Sequence, residues 1–340
     1  MSPRPLAQNL VTTESSDHAD LHSRGPGSPG GGDQSAVSPN THPASTTALD
    51  RVGLLCAVLA AVGFSGKAIL VKLAYRYGVD AETLLVLRMV FSLPFFLGMA
   101  WVGADRAANP LTLRDWGWLG GLGLLGYYLA SYLDFLGLHY ISAGLERLIL
   151  FIYPTLVVLL AALWLGQPLT RRTLGALALC YAGLALAVAH DLRWAGAARD
   201  LALGGTLVFG SALSYALYLL GSGKIVSRLG ALRITAFASL VACGLAIGQF
   251  PLLRPLAALA QPEPVYALAL AMALFSTVLP MWGVAEAIHR LGPGPVALTG
   301  SLGPIVTLLL AWFLLDEAVS GAQLIGSALV ITGVTVMARR

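Results

Sequence analysis

The sequence predicts an all-α polytopic membrane protein, with ten transmembrane helices arranged as two inverted five-helix repeats. Three observations carry that prediction. The first is composition: of 340 residues, 57% are hydrophobic and only 11% charged, and the mean hydropathy is +0.76. Soluble domains carry about 25% charged residues, so a water-facing surface of ordinary polarity cannot be assembled and lipid must be the main solvent. The second is a succession of apolar runs, each long enough to cross about 30 Å of hydrocarbon at about 1.5 Å per residue. The third is a duplication at a constant offset of 150 positions, which places Gly144 on Gly294, Leu148 on Leu298 and Pro154 on Pro304. The match extends without gaps from His139/His289 to Gly183/Gly333.

Residues 1–50 are rich in Ser, Thr, Pro, Gly and Asp and contain no apolar run. They read as a disordered cytoplasmic tail rather than a signal peptide. The runs follow at 52–74, 81–102, 116–139, 143–165, 172–189, 203–222, 231–253, 265–288, 294–315 and 320–338. Backbone in lipid must bond internally, which makes them helices. The first unit covers 51–189, an external linker 190–202, and the second unit 203–340.

Orientation follows from the basic residues. With the N-terminus inside, the inner side holds eleven: Arg51, Arg106, Arg114, Arg171, Arg172, Lys224, Arg228, Arg233, Arg290, Arg339 and Arg340. The outer side holds five: Lys72, Arg76, Arg193, Arg199 and Arg254. Both termini are therefore expected in the cytoplasm. An odd number of spans per unit then inverts the second copy, a plan found in secondary transporters with the substrate near the midplane. The net charge of +4 sits at segment ends, which points to topology and not to nucleic acid. Lysine is scarce, at three against eighteen arginines, a compositional sign of a GC-rich genome and hence a bacterium, and the expected location is the bacterial plasma (inner) membrane. Cys56, Cys180 and Cys243 all lie inside apolar runs and suit neither a disulfide framework nor a metal site. No cofactor is expected.

Arg88 in LRMVFSLPFF, Ile141-Ser142-Ala143-Gly144, Tyr153-Pro154 and the closing Leu165-Gly166-Gln167-Pro168-Leu169 form a set with Leu315-Asp316-Glu317 of the second unit. With these residues the chain resembles the drug/metabolite transporter superfamily, as two tandem EamA-type units over roughly 53–338. It departs from the family pattern at Gln167, where Glu is usual, and at Ala238, which matches Arg88. The resemblance implies alternating-access transport of a small metabolite through a cavity lined by spans 1, 3, 4, 6, 8 and 9. On those spans, Tyr132, Tyr153, Tyr215 and Trp282 are the implied substrate contacts.

Ionisable side chains in hydrocarbon are costly and are candidates for function. Lys67, Arg88, Asp134, Glu146 and Arg147 fall by topology and counting within the outer ~10 Å of the core. They are the candidates for substrate binding or for coupling to a proton or ion. Glu146 and Arg147 lie about 100° apart on their helix, so both cannot face one cavity. Glu286 is embedded near the inner end of span 8. Its E-x-x-H spacing with His289 occurs in carboxylate-bridged metal sites, but one copy supplies too few ligands. Gly144 and Pro154, with Gly303 and Pro304 opposite them, weaken spans 4 and 9 at related points, where freed carbonyls can face a cavity.

The expected function is a secondary transporter, an exporter of small organic metabolites such as amino acids. An importer or exchanger of anionic metabolites is the alternative, since the outer cluster holds three cations and two anions. A polytopic membrane enzyme is more distant, because no nucleophile–base pair or metal constellation is apparent. The expected partners are a small-molecule substrate and the lipid bilayer.

Overall fold

The structure is a computed structural model and describes residues 51–105, 110–194, 198–291, 296 and 299–338. The expected tail over 1–50 lies outside the described residues. Among those described there are helices and turns and no strand. Long helices α1 (Arg51–Tyr75) and α2 (Ala81–Asp105) come first. Next come α3 (Leu113–Leu122) and α4 (Ala130–Leu138), joined by a π-helical turn at Gly123–Leu129. Helices α5 (Ala143–Leu150) and α6 (Tyr153–Leu165) follow, then α7 (Arg171–Trp194), α8 (Ala198–Leu229) and α9 (Ala231–Leu253). A second π turn at Leu274–Val278 joins α10 (Glu263–Ala273) to α11 (Leu279–Leu291), and α12 (Gly303–Leu315) and α13 (Gly321–Ala338) close the chain.

Seven segments are long and apolar enough to cross a membrane, by length and composition: Arg51–Tyr75, Ala81–Gly103, Ala143–Leu165, Arg171–His190, Ala198–Ile225, Leu232–Leu253 and Glu263–Val284. The other expected spans are built of shorter helices, and 294–315 falls partly outside the described residues. Side chains such as Trp101, Leu163 and Phe313 are 71%, 76% and 75% exposed, the surface of a body whose solvent is apolar. Helix also occupies most of the expected linker, since α7 continues to Trp194 and α8 begins at Ala198.

Helix starts follow ordinary capping chemistry. Thr112 and Asp115 form a capping box on α3, with the Thr112 amide donating to Asp115 Oδ2 at 2.7 Å. The Arg228 guanidinium reaches the same oxygen at 2.5 Å and ties the end of α8 to the start of α3. The Thr112 hydroxyl and amide, with Arg228 behind them, hold the Asp115 carboxyl below the usual carboxylate range.

The two parts of the chain pack through antiparallel helix pairs. Where α7 meets α13, a Cβ on Gly183 would lie 2.5 Å from the Gly326 carbonyl oxygen, and one on Gly333 would lie 2.6 Å from that of Ala176. Residue numbers rise along one helix as they fall along the other, so the two run in opposite senses. Only glycine allows backbones this close. Likewise α8 lies antiparallel to α4 and its π turn, where Ser214 donates to the Leu125 carbonyl and Ser211 to that of Ala130, each at 2.7 Å. At the second π turn, Gly63 of α1 packs on the Phe275 carbonyl. A large apolar cluster including Ile69, Leu84, Phe96, Phe135, Leu138 and Met272 fills the space between α1, α2, α4 and α10.

Candidate functional site

The site is assembled where α5 starts. Ser142 caps that helix, its hydroxyl accepting from the Leu145 amide at 3.2 Å. This sets Glu146 in the first turn, beside Asp134 in the middle of α4 and Lys67 on α1. Lys67 Nζ lies 2.6 Å from Asp134 Oδ2 and 3.8 Å from Glu146 Oε1. The Lys67 side chain is 19% exposed, Asp134 1% and Glu146 0%. Three of the five charges expected at one depth therefore meet.

The other two lie near this triad but face elsewhere. Arg88 is buried on α2, with its guanidinium carbon 4.9 Å from the centroid of the Phe135 ring, a cation–π arrangement. Arg147 points away from Glu146, as their angular separation requires. A Cβ on Gly303 would lie 2.6 Å from Arg147 Nη2, so the guanidinium rests on bare backbone where α12 begins. The Arg147 Nε atom is buried and has no hydrogen-bond partner among the described residues.

Tyrosines extend from Arg147. Tyr153 on α6 meets Tyr215 on α8 edge-on at 5.1 Å between centroids, and Tyr215 stacks on Tyr218 at 5.5 Å. The Tyr218 hydroxyl lies 3.1 Å from that of Tyr127 in the first π turn. Tyr132 lies apart from this group: its hydroxyl donates to Glu82 Oε1 at 3.3 Å, and its ring stacks on Tyr128. Trp282 is 58% exposed, and Glu286 is bound by Arg290 one turn along at 2.6 Å. Neither is brought to the triad. The His289 side chain lies outside the described residues, and no metal-ligand cluster occurs among those described.

Each expected bend coincides with a helix interruption. Between α5 and α6 the Ile152 amide bonds back to Ile149 at 3.2 Å, and Pro154 sits in the first turn of α6. Before α12 the Leu302 amide bonds to Thr299 at 3.1 Å, and Pro304 occupies the equivalent place. Ser65 of α1 bridges the second bend, donating to the Gly303 carbonyl at 3.2 Å while its own carbonyl accepts from Thr307 at 3.2 Å. A Cβ on Gly144 would lie 2.6 Å from Leu308 Cδ2, so α5 and α12 approach closely.

A clamp near the triad is absent from the sequence reading. Helix α12 ends on Asp316 with φ 58°, the left-handed conformation that Gly166 adopts at φ 65° where α6 ends. The turn sends Glu317 to the start of α5, where its Oε2 accepts from the Ala143 amide at 3.0 Å. Lys72 lies 3.9 Å from Glu317, and Arg76 donates to the Leu315 carbonyl at 2.8 Å. The corresponding Gln167 is exposed. The closing Asp316-Glu317 pair was the available signal, but its target could not be read from one chain.

The EamA-like transporter family matches residues 51–189 and 202–339. The chain is 28% identical over 294 residues to the uncharacterized transporter YcbK of Bacillus subtilis (strain 168), covering 83% of this chain and 92% of that one. It is 25% identical over 214 residues to the uncharacterized transporter YyaM of the same organism, over 63% and 70% of the two chains. A crystal structure shares the fold at a TM-score of 0.57 and 19% identity, over 85% of this chain and 98% of the other. The chain belongs to the EamA-like transporter family and is an integral membrane protein that transports small molecules.

Proposed function

We propose that the protein is a secondary exporter of small organic metabolites such as amino acids. It works by alternating access between two inverted repeats of five spans, ten in all. In this reading both termini are cytoplasmic, the membrane is the bacterial inner membrane, and the triad and clamp lie toward the outside. Support for the inversion comes from the antiparallel contacts between α7 and α13 and from the 150-residue offset shared by the two bends, the two π turns and the two left-handed caps.

The observation that carries the substrate reading is the Arg147 guanidinium resting on the bare Gly303 backbone, on the helix that leads into the Tyr153–Tyr215 pair. A fixed fork of N–H donors suits a carboxylate, and aromatic walls suit an organic body. Tyr132, Trp282 and Glu286 are left out of this site by their surroundings. The same cation favours the second reading, an importer or exchanger of anionic metabolites.

The test is a thermal-shift screen of the purified protein against a metabolite library, with every hit then measured for flux in proteoliposomes. A ligand present at about a hundred times its Kd stabilises the folded state by roughly 2.7 kcal/mol. Amino acids are expected to stabilise the wild type and to lose that effect in Arg147→Gln. Stabilisation only by organic anions without an amino group would favour the second reading. A hit that is converted to product without any gradient would remove both.

A further inference from the structure

We propose that Asp134 and Glu146 share one proton beside Lys67, and that this proton is exchanged with water in each transport cycle. The proposal rests on the transport reading for the cycle, but not for the proton itself.

The argument begins with the number of donors. Asp134 and Glu146 are 1% and 0% exposed, so water does not solvate their carboxyl groups. All four of their oxygens lack a hydrogen-bond donor among the described backbone and side-chain groups, apart from the ammonium of Lys67. One ammonium reaches both groups, 2.6 Å from Asp134 Oδ2 and 3.8 Å from Glu146 Oε1, so the two buried acids lie side by side. Two ionised carboxylates cannot share a dry site at that separation, because like charges repel strongly at low dielectric. One proton between them turns the repulsion into a hydrogen bond, as in other carboxyl pairs that titrate as a unit.

The neighbouring charges do not remove that requirement. Lys67 is the one cation among the described residues within 4 Å of either carboxylate, and at 2.6 Å it neutralises a single negative charge. Arg88, Arg147 and Lys72 act on the pair at longer range, but none lies within 4 Å of it: Arg88 lies over the Phe135 ring, Arg147 rests on Gly303, and Lys72 faces Glu317. Tyr75 of α1 donates its hydroxyl to the Phe135 carbonyl at 2.7 Å and has no proton left for Asp134. No group of metal ligands occurs here among the described residues, and the one ammonium present is that of Lys67, so a proton is the occupant proposed.

The site is built from three elements that a rocking motion would separate. Lys67 is on α1, Asp134 on α4 and Glu146 on α5, and α5 is held at its start by Glu317 from the second repeat. If α5 moves away, water reaches both carboxyls and the shared proton can leave. No bond other than O–H is made or broken: the proton passes from the carboxyl to water and returns when the site closes.

The test is infrared difference spectroscopy of the full-length protein in lipid at neutral pH, on exchange from H2O to D2O. The expected result is a carboxylic C=O stretching band that shifts in D2O, is lost in Glu146→Gln and in Asp134→Asn, and is retained in Glu286→Gln. In either of the first two variants the remaining carboxylate is ionised against Lys67, so one folded variant is enough. A wild-type spectrum with no band that depends on these two residues overturns the proposal. In proteoliposomes, wild-type flux of a tritiated amino-acid mixture should respond to an imposed pH gradient, and flux in Glu146→Gln should not. A band with pH-insensitive wild-type flux overturns the exchange. Absence of any flux in the wild type would count against the transport reading, and the band would still decide the proton site.

Discussion

Cys180 and Val330 are separated by 150 positions in the chain and touch, with the Cys180 thiol 3.6 Å from the Val330 carbonyl oxygen. In a duplicated chain with that offset they are equivalent residues, and equivalents meet where a two-fold relation between the copies passes. The glycine contacts on either side of them obey the same relation, Gly183 with Gly326 and Ala176 with Gly333.

That crossing predicts a steep local cost. Gly183→Val should destabilise the protein by roughly 1–3 kcal/mol, as overpacking does where no flexible group can yield. Gly175→Ala, at an exposed position of the same helix with open space around its Cβ, should be neutral or stabilising by about 0.5–1 kcal/mol. Thermal unfolding in detergent compares the two. Equal melting temperatures would show that the crossing does not contribute to stability.

The triad predicts a pattern that single substitutions alone cannot give. Lys67→Met strands two buried carboxyl groups and should cost roughly 3–5 kcal/mol. Adding Asp134→Asn should restore stability while transport stays lost. Recovery of transport together with stability would make the triad a structural feature.

Orientation is testable with an impermeant thiol reagent on whole cells, in a background lacking the half-buried Cys56. A cysteine at Arg199 should react and one at Arg171 should not, although both positions are exposed. The reverse pattern would turn the proposed topology over.

The Thr112–Asp115–Arg228 junction predicts a pH dependence. The folded-state pKa of Asp115 lies below its ordinary value, so its stabilisation is present above the unfolded pKa and is lost as pH falls through the folded one. Asp115→Asn should therefore lower the melting temperature at neutral pH, and the gap from wild type should close in acid. A gap independent of pH would mean that the carboxylate charge is not what holds α3 to α8.

Much of this architecture was legible because lipid leaves few choices. Apolar length gave the helices, and α9 spans the expected 231–253. Counting residues from segment ends placed Lys67, Asp134 and Glu146 at one depth, and they do meet. Counting does not give direction around a helix without knowing its neighbours, so the bond from Tyr132 to Glu82, the exposure of Trp282 and the pairing of Glu286 with Arg290 could not be read in advance. The π turns were illegible for a related reason: a single extra residue in a helical turn leaves no mark in a uniformly apolar run. Proline marked both interruptions, but the clamp needed the path of the chain after Asp316, where a non-glycine residue adopts the left-handed turn.

The most direct measurement of the central claim is efflux of a tritiated amino-acid mixture from proteoliposomes containing the purified protein. The account predicts efflux well above protein-free liposomes, reduced roughly tenfold or more in Arg147→Gln, the size expected when one charge-assisted hydrogen bond is lost. Wild-type efflux no faster than that of protein-free liposomes would contradict it, as would unchanged efflux in a folded Arg147→Gln protein.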